Sequence, residues 1–541
     1  MKKLGTVLAT AALAVAVALS LASCGSSGGK EGGTLTVSFA EAPDYLDPQL
    51  SYNVEGWSAM YNTYIPLLTY AHAEGKAGSQ VVPGLAESLP KISNGGKTYE
   101  LTLRHGLKYS DGTPVKASDF RSTVERLLAL ESGGSPFYTD IVGAEKFLEA
   151  KQGGIPGIKT DDKTGEITID LNSPRGTFDN ELAMPFVALV PPDTPPKDQT
   201  PNPAPATGPY MIVSSHPGRD WSYERNPQWE KNNAKLMPDL PSGHVNKIDV
   251  EVVRNQSTQV NKVEQGSTNW MFDPLPTDRI ASVKARYEGT QYRPEQSIST
   301  YFFWMNTTKP PFDDLKVRQA VNYAVDPEAV ERIYGGELTA GQQILPPGMP
   351  GYEKYELYPH NMAKAKALIK QANPSDREIT VWTDNISPND EIGAYYQDVL
   401  SQLGFNAKLK TLGDNYFPVI GNTSTPDLDT GWANWFEDYP HPNDFFQPLL
   451  SGASIAQINN GNLAQINDPD LNKKIERLGT KQLGPKQERE YAELDKEYME
   501  QAPWAPLGNL KVSLFVSSDI DAEKVIWNPT FWGDLSSFQF K

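Results

Sequence analysis

The sequence predicts an α/β protein of more than one domain, with at least one domain built on parallel strands. Three observations predict it. The chain has 541 residues, well past the ~250–300 at which a single hydrophobic core stops growing. Segments of apolar–polar alternation recur among segments of helical spacing. Residues 378 to 412 read strand, helix, strand, and a connection of that length makes the two strands parallel.

The elements follow in chain order. Lys2 and Lys3 precede an apolar run from Leu4 to Leu21, the layout of a secretory signal peptide over residues 1–23. The run closes with Leu21-Ala22-Ser23-Cys24, which resembles a bacterial lipobox. That resemblance implies a lipid on the Cys24 sulfur and Cys24 as the first mature residue. Residues 24–33 then read as a lipidated Gly/Ser tether. Thr34 to Phe39 alternates as a half-buried strand should, and Thr98 to Arg104 does so again. Asp111-Gly112 marks a turn, after which Ser118 or Asp119 caps a helix from Phe120 to Leu130. A proline-rich stretch from Pro191 to Pro209 continues neither helix nor central strand and reads as a crossing between domains. Asp313 or Asp314 caps a helix bearing Leu315, Arg318, Val321 and Ala324. Asp326, with Pro327 at the first position and Gly335 past the end, frames the next. Asn361 caps a third, ended by Asn373-Pro374. The βαβ unit comprises a strand from Glu378 to Trp382, a helix from about Glu391 to Leu403 stopped by Gly404, and a strand from Ala407 to Leu412.

Composition excludes several function classes. A net charge of −18 repels nucleic acid and anionic lipid headgroups. After the leader no run is long and apolar enough to span a membrane. Cys24 is the only cysteine, so the mature body carries no disulfide. The six histidines are scattered, with no HExxH pair and no Cys/His cluster, so neither metal nor cofactor is expected. Gly-x-Ser-x-Gly and phosphate-cradling Gly-x-x-x-x-Gly-Lys motifs are absent too. The reading is a binding protein rather than an enzyme, set against a surface hydrolase or a structural lipoprotein. The 11 Trp and 24 Tyr suit an adaptable ligand cleft as well as a core.

Five blocks carry a resemblance. They are Val82-Pro83-Gly84-Leu85-Ala86-Glu87-Ser88 with Lys97 to Arg104; Ser110 to Val115 with Asp119-Phe120; Thr207-Gly208-Pro209-Tyr210 with Arg225-Asn226-Pro227; Pro311 to Ala320; and Asp438-Tyr439-Pro440-His441-Pro442. In this order they resemble the extracellular solute-binding proteins of peptide-type ATP-binding-cassette (ABC) importers, across nearly the whole mature chain. The resemblance implies a two-lobed periplasmic-binding-protein-like fold (type II) with an extra subdomain on the first lobe. Residues 34–72, 206–292 and 508–541 would form lobe I, 73–205 the extra subdomain and 293–507 lobe II, with crossing strands near Gln296 and Pro506. It implies a monomer anchored outside the cell membrane that hands a peptide to ABC permease subunits. A sugar, an opine or a metal chelate is the alternative solute.

The family places a carboxylate for the ligand's α-amine at the position of Asp438. Trp435 and Tyr416 match its cleft aromatics, Trp432 competes with Trp435 if the register slips by three, and Tyr52 and Val54 match a ligand-facing strand. Basic residues that meet a peptide carboxylate in some members fall here on Thr423, Ser424 and Trp432, none of them cationic.

Overall fold

The computed structural model describes residues 30–413 and 415–541. The expected leader, Cys24 and the tether as far as residue 29 lie outside the described residues. The last part of that tether is not free. Lys30 N donates to Phe540 O at 2.7 Å and Gly32 N to His244 O at 2.8 Å. Gly33 (φ 87°) runs so close to the Phe540 ring that a Cβ would stand 3.1 Å from it.

A twelve-stranded sheet organises the chain. Its strands are β1 (Thr34–Phe39), β2 (Tyr210–His216), β3 (Asp220–Arg225), β4 (Lys247–Val252), β5 (Trp270–Met271), β6 (Tyr292–Gln296), β7 (Ser299–Met305), β8 (Leu338–Ala340), β9 (Glu378–Asp384), β10 (Asn406–Leu412), β11 (Thr430–Phe436) and β12 (Trp504–Val516). The order is β10-β9-β11-β7-β12-β5-β1-β4-β3-β2, with β6 and β8 also on β12. The βαβ unit is present: β9 and β10 are parallel, Glu378 opposite Asn406, and helix Asn389–Gln402 joins them. All seven residues of β7 are buried, as in a strand covered on both faces.

β12 belongs to both halves of this sheet. Its first residues pair antiparallel with β7, its middle with β8, and Lys511 to Phe515 with β6 before the last two reach β5. Gly508 sits at the change-over. A Cβ there would stand 2.2 Å from Thr339 O, and the β7 register shifts beside it between Tyr301 and Phe302.

The apolar interior divides accordingly. One core gathers side chains from Ile298 to Leu507, and another draws on Leu35 to Ala59, Tyr210 to Phe272 and Val512 to Phe538. A third surrounds a separate four-stranded sheet, Lys91–Ser93, Thr98–Thr102, Glu166–Asp170 and Ile158–Thr160, onto which helix Ala117–Ala129 packs Phe120, Val124 and Leu127. The proline-rich stretch forms no helix or strand. It is held by Arg126, whose Nε donates to Pro195 O (3.0 Å) and whose two Nη donate to Asp47 (2.8 and 2.5 Å), Gln49 Oε1 and Lys197 O. A buried guanidinium so fully paired recovers its desolvation cost.

The helix caps resolve as physics asks. Asp314, not Asp313, caps helix Leu315–Ala324; Asp326 caps Pro327–Ile333; Asn361 caps Met362–Ala372. One cap is corrected. Helix Ala117–Ala129 begins three residues before the expected Phe120, so Asp119 is its third residue and its carboxylate reaches back to Lys116 N at 2.9 Å.

The two lobes touch across the mouth between them. Gly176 N donates to Gly479 O at 2.8 Å, Gln482 Nε2 to Tyr99 Oη at 3.1 Å, and the Phe137 and Tyr439 rings meet edge to face.

Candidate functional site

Between the lobes lies a cavity of about 600 Å³. Lobe I supplies Tyr52, Asn53, Val54, Trp57 and Thr530; lobe II supplies the rest, from Phe302, Phe417 to Gly421, Ala433 to Asp438, and Leu449 to Leu463. The lobe I wall is fixed locally. Asn53 caps helix Val54–Met60, its Oδ1 accepting from Gly56 N at 2.9 Å. Asp44 holds the preceding residues, accepting from Ser51 Oγ and Tyr52 N, both at 2.7 Å. The Tyr52 ring then packs on Trp57 and Phe186 while 41 % of the residue stays open to the cleft.

The lobe II wall is the end of β11 and the turn after it. Asp444, buried at the start of helix Asn443–Leu450, accepts from Asp438 N (2.9 Å) and Trp435 Nε1 (3.2 Å) through one oxygen. That carboxyl fixes both the turn and the indole. From the opposite lobe, Tyr52 Oη donates to Asp438 Oδ2 at 3.0 Å, so Asp438 is where the lobes meet across the cavity.

Of the candidates from sequence, Asp438, Trp435, Tyr52 and Val54 line the cavity. Tyr416 and Trp432 do not. Strand alternation turns Trp432 away from Ala433 and Trp435, and it stacks on Tyr416, ring centroids 5.6 Å apart. The Tyr416 hydroxyl donates to Trp432 O at 2.6 Å. Together they back Phe417, which does reach the cavity. So Trp435, rather than Trp432, is the cleft tryptophan.

The electrostatics are one-sided. The cavity lining holds two carboxylates, Glu437 and Asp438, and no Lys, Arg or His. Burial pushes the Asp438 carboxyl up to about 7, against hydrogen bonds from Tyr52 and Asp444 that pull it down. Burial, reinforced by the charge of Asp438, pushes Asp444 well above the usual carboxylate range, so Asp444 holds the proton of the pair. Burial also raises Glu437 well above that range. A positive group inside such a site would pair with acids that burial otherwise keeps protonated.

The family model for bacterial extracellular solute-binding proteins, family 5 (middle), matches residues 80–457. The chain belongs to family 5 of these solute-binding proteins. A relative in Haemophilus influenzae, "Heme-binding protein A", is 27 % identical over 87 % of this chain and 86 % of its own. "Probable di/tripeptide-binding protein 5" of Pseudomonas aeruginosa is 26 % identical over 85 % of this chain and 87 % of its own. Among solved structures, "Clavulanic acid biosynthesis oligopeptide binding protein 2" superposes with a TM-score of 0.86 at 24 % identity, covering 94 % of this chain and 96 % of that one. The fold is therefore that of the two-lobed family 5 proteins, which act outside the cytoplasm. Among the described residues no helix is long and apolar enough to cross a membrane, and no group of three or more His, Cys, Asp or Glu side chains is placed to hold a metal ion.

Sequence reasoning missed Phe302, Phe417, Glu437, Asn459, Asn460 and Thr530. Phe417 and Glu437 adjoin residues already singled out, so a reading of whole segments would have reached them. Thr530 and the asparagines come from segments whose place at the cleft is set only by the tertiary fold.

Proposed function

We propose that this family 5 protein captures peptides through their free α-amine and delivers them to the permease of an ABC importer. The observation that carries the reading is Asp438: a cleft carboxylate contacted from both lobes, with Tyr52 donating to it across the cavity and no basic side chain in the lining. An ammonium entering as the lobes close loses its water and needs such a partner. The lining holds no cation for a peptide's carboxylate, so the peptide's other end is held through backbone contacts or left in solvent. The aromatic character of the wall, with Tyr52, Trp57, Phe302, Phe417, Trp435 and Phe436, suits side chains of varied size. A peptide reading is supported further by the relative described as a di/tripeptide binder. In keeping with a two-lobed receptor, 34–72, 206–292 and 508–541 act as one rigid unit with 73–205, and 293–507 as the other.

The test is a four-way comparison by calorimetry. Asp438→Asn should weaken binding of a free peptide by roughly 10²–10³-fold, since breaking one side of a buried pair costs ~3–5 kcal/mol. N-acetylating the peptide should cost the parent protein as much and the variant almost nothing more, because both changes delete one interaction. Additive losses would sink the α-amine assignment and favour a non-peptide solute.

Anchoring rests on the same proposal. Lipid on Cys24 with an acylated amine gives the two lipid signals that stable attachment needs. Cys24→Ala should release the protein to the medium or stall its processing, read by fractionation; a processed variant that stays in the membrane would overturn the anchor.

A further inference from the structure

Residues 30–33 join lobe I at one defined seam. Besides the bonds of Lys30 N to Phe540 O and Gly32 N to His244 O, Gly33 O accepts from Asn246 N (3.0 Å) and Lys247 N (3.2 Å), and Glu31 Oε1 lies 2.8 Å from His244 Nδ1. Phe540 is itself tied to the body: it bridges Ile520 as well as Lys30, and Lys541 N donates to Asp519 O at 2.9 Å. The seam therefore sits at the amino end of the parallel pair β1 and β4, where Thr34 stands opposite Lys247. The cleft lies past the other end of β1. That strand has six residues, and at ~3.3 Å per residue it carries the chain ~20 Å from the seam. The next residue, Ala40, donates its backbone N to Asp273 Oδ2 at 2.6 Å. Glu55, beside Val54 of the cleft wall, is pushed up to about 7 by burial and by the charges of Asp273, Glu41 and Asp44 around it. Asp44 in turn holds Tyr52. A ligand cleft outside the carboxyl ends of the strands is the usual place in a parallel sheet. Lobe II is more remote still: five strands separate β1 from the outer strand β10, ~30 Å across the sheet.

Cys24 stands six positions before Lys30, and six residues reach at most ~20 Å even when fully extended. We propose that the end of lobe I formed by His244, Asp519 and Phe540 is the membrane-facing surface of the anchored protein, held within ~20 Å of the bilayer, with the cleft and lobe II turned away from the lipid. The inference rests on the lipidation of Cys24 and deepens it, from attachment to orientation. Charge is not what holds this end down. Lys30, Lys524 and Lys541 are interspersed there with Glu31, Asp519 and Asp521, so no basic patch is offered to anionic headgroups. The arrangement also suits a two-lobed receptor. The tether grips one lobe only, so lobe II closes on a ligand without dragging the anchor.

The test is a distance measurement on the full-length, lipidated protein. Cys24 is the only cysteine, and a lipidated sulfur is no longer a free thiol, so an introduced cysteine alone takes a maleimide fluorophore. Ser518→Cys puts it on the proposed face, and Ser401→Cys puts it on helix Asn389–Gln402 of lobe II; both serines are exposed. Each protein is reconstituted into phosphatidylcholine vesicles whose headgroups carry an energy acceptor. Transfer from Ser518→Cys should exceed transfer from Ser401→Cys several-fold, and adding anionic lipid should not change it. Inserting about sixty Gly/Ser residues between Gly29 and Lys30, an r.m.s. reach of ~45 Å, should bring the two close together. Equal transfer from both positions without the insert, or stronger transfer from Ser401→Cys, overturns the orientation and leaves the anchor standing. Protein that fails to float with the vesicles overturns the anchor, and the orientation with it. Parent-like melting temperatures and peptide binding in both labelled variants show that the label reports on the native fold.

Discussion

At Asp438 a single carboxyl links pH, stability and binding. Its pKa moves from an ordinary 3.8 to about 7 in the folded protein because burial disfavours the charge. Between about pH 4 and 7 the folded protein therefore holds a proton that the unfolded chain has released. The sign follows: the stability of the ligand-free protein falls as pH rises through that window. Binding of an ammonium runs the other way, since it needs the carboxylate. Affinity should rise from pH 5 to 7.5, and binding at pH 6 should release protons, visible as a dependence of the calorimetric heat on buffer ionisation enthalpy. At pH 8 the release due to Asp438 should vanish. An affinity flat across this range would mean that Asp438 does not meet the cation. The residue-level reading from sequence located Asp438, Trp435, Tyr52 and Val54 at the cleft because a short motif carries their register. It put Tyr416 and Trp432 there as well. An aromatic behind a wall and an aromatic in it share the same local pattern, and only the tertiary packing that stacks Trp432 on Tyr416 tells them apart.

At the scale of elements the sequence was most legible where backbone chemistry is local. The caps at Asp314, Asp326 and Asn361 and the stop at Gly404 could be read directly, because a cap is a contact between residues two or three apart. The βαβ unit was legible from its periodicity. β7 was not, since seven consecutive buried residues show no alternation. β12 was equally hidden: it pairs with four other strands whose partners lie up to 246 residues away in sequence, as Trp270 opposite Val516 illustrates. Its critical residue is Gly508. Gly508→Ala would drive a Cβ against Thr339 O, 2.2 Å away and part of the backbone, at a φ of 150° that side chains disfavour. We expect a loss of ~2–4 kcal/mol, of the size seen for strain at a special backbone position together with overpacking. Denaturant titration reads it directly; a loss under ~1 kcal/mol would show that the change-over relaxes freely.

Across the whole molecule, the latch between the lobes is a matter of close backbone approach. A Cβ on Gly176 would stand 1.9 Å from Lys481 O on the opposite lobe. Gly176→Val should therefore hold the lobes apart without touching the core of either. The expected outcome is weaker peptide binding, a larger radius of gyration by small-angle scattering with ligand present, and little change in melting temperature without it. Parent-like compaction in the variant would place the latch elsewhere. The overall two-lobed plan could be anticipated from five ordered blocks, two of which reach the contact between the lobes through Tyr99 and Tyr439, yet none contains Gly176 or Gly479, which the tertiary fold alone makes neighbours.

β12 also sets an order of events. It lies at residues 504–516, later in the chain than any other strand of the central sheet, yet it occupies the middle of that sheet. As the chain is made from its N-terminus, β7 waits for Trp504 to Pro506, β6 for Lys511 to Phe515, and β5 for Val516. Both halves thus stay open at their shared edge until translation is nearly past them. A polypeptide whose keystone is synthesised last remains threadable through most of its production, which is the condition a protein destined to cross a membrane as an unfolded chain must meet.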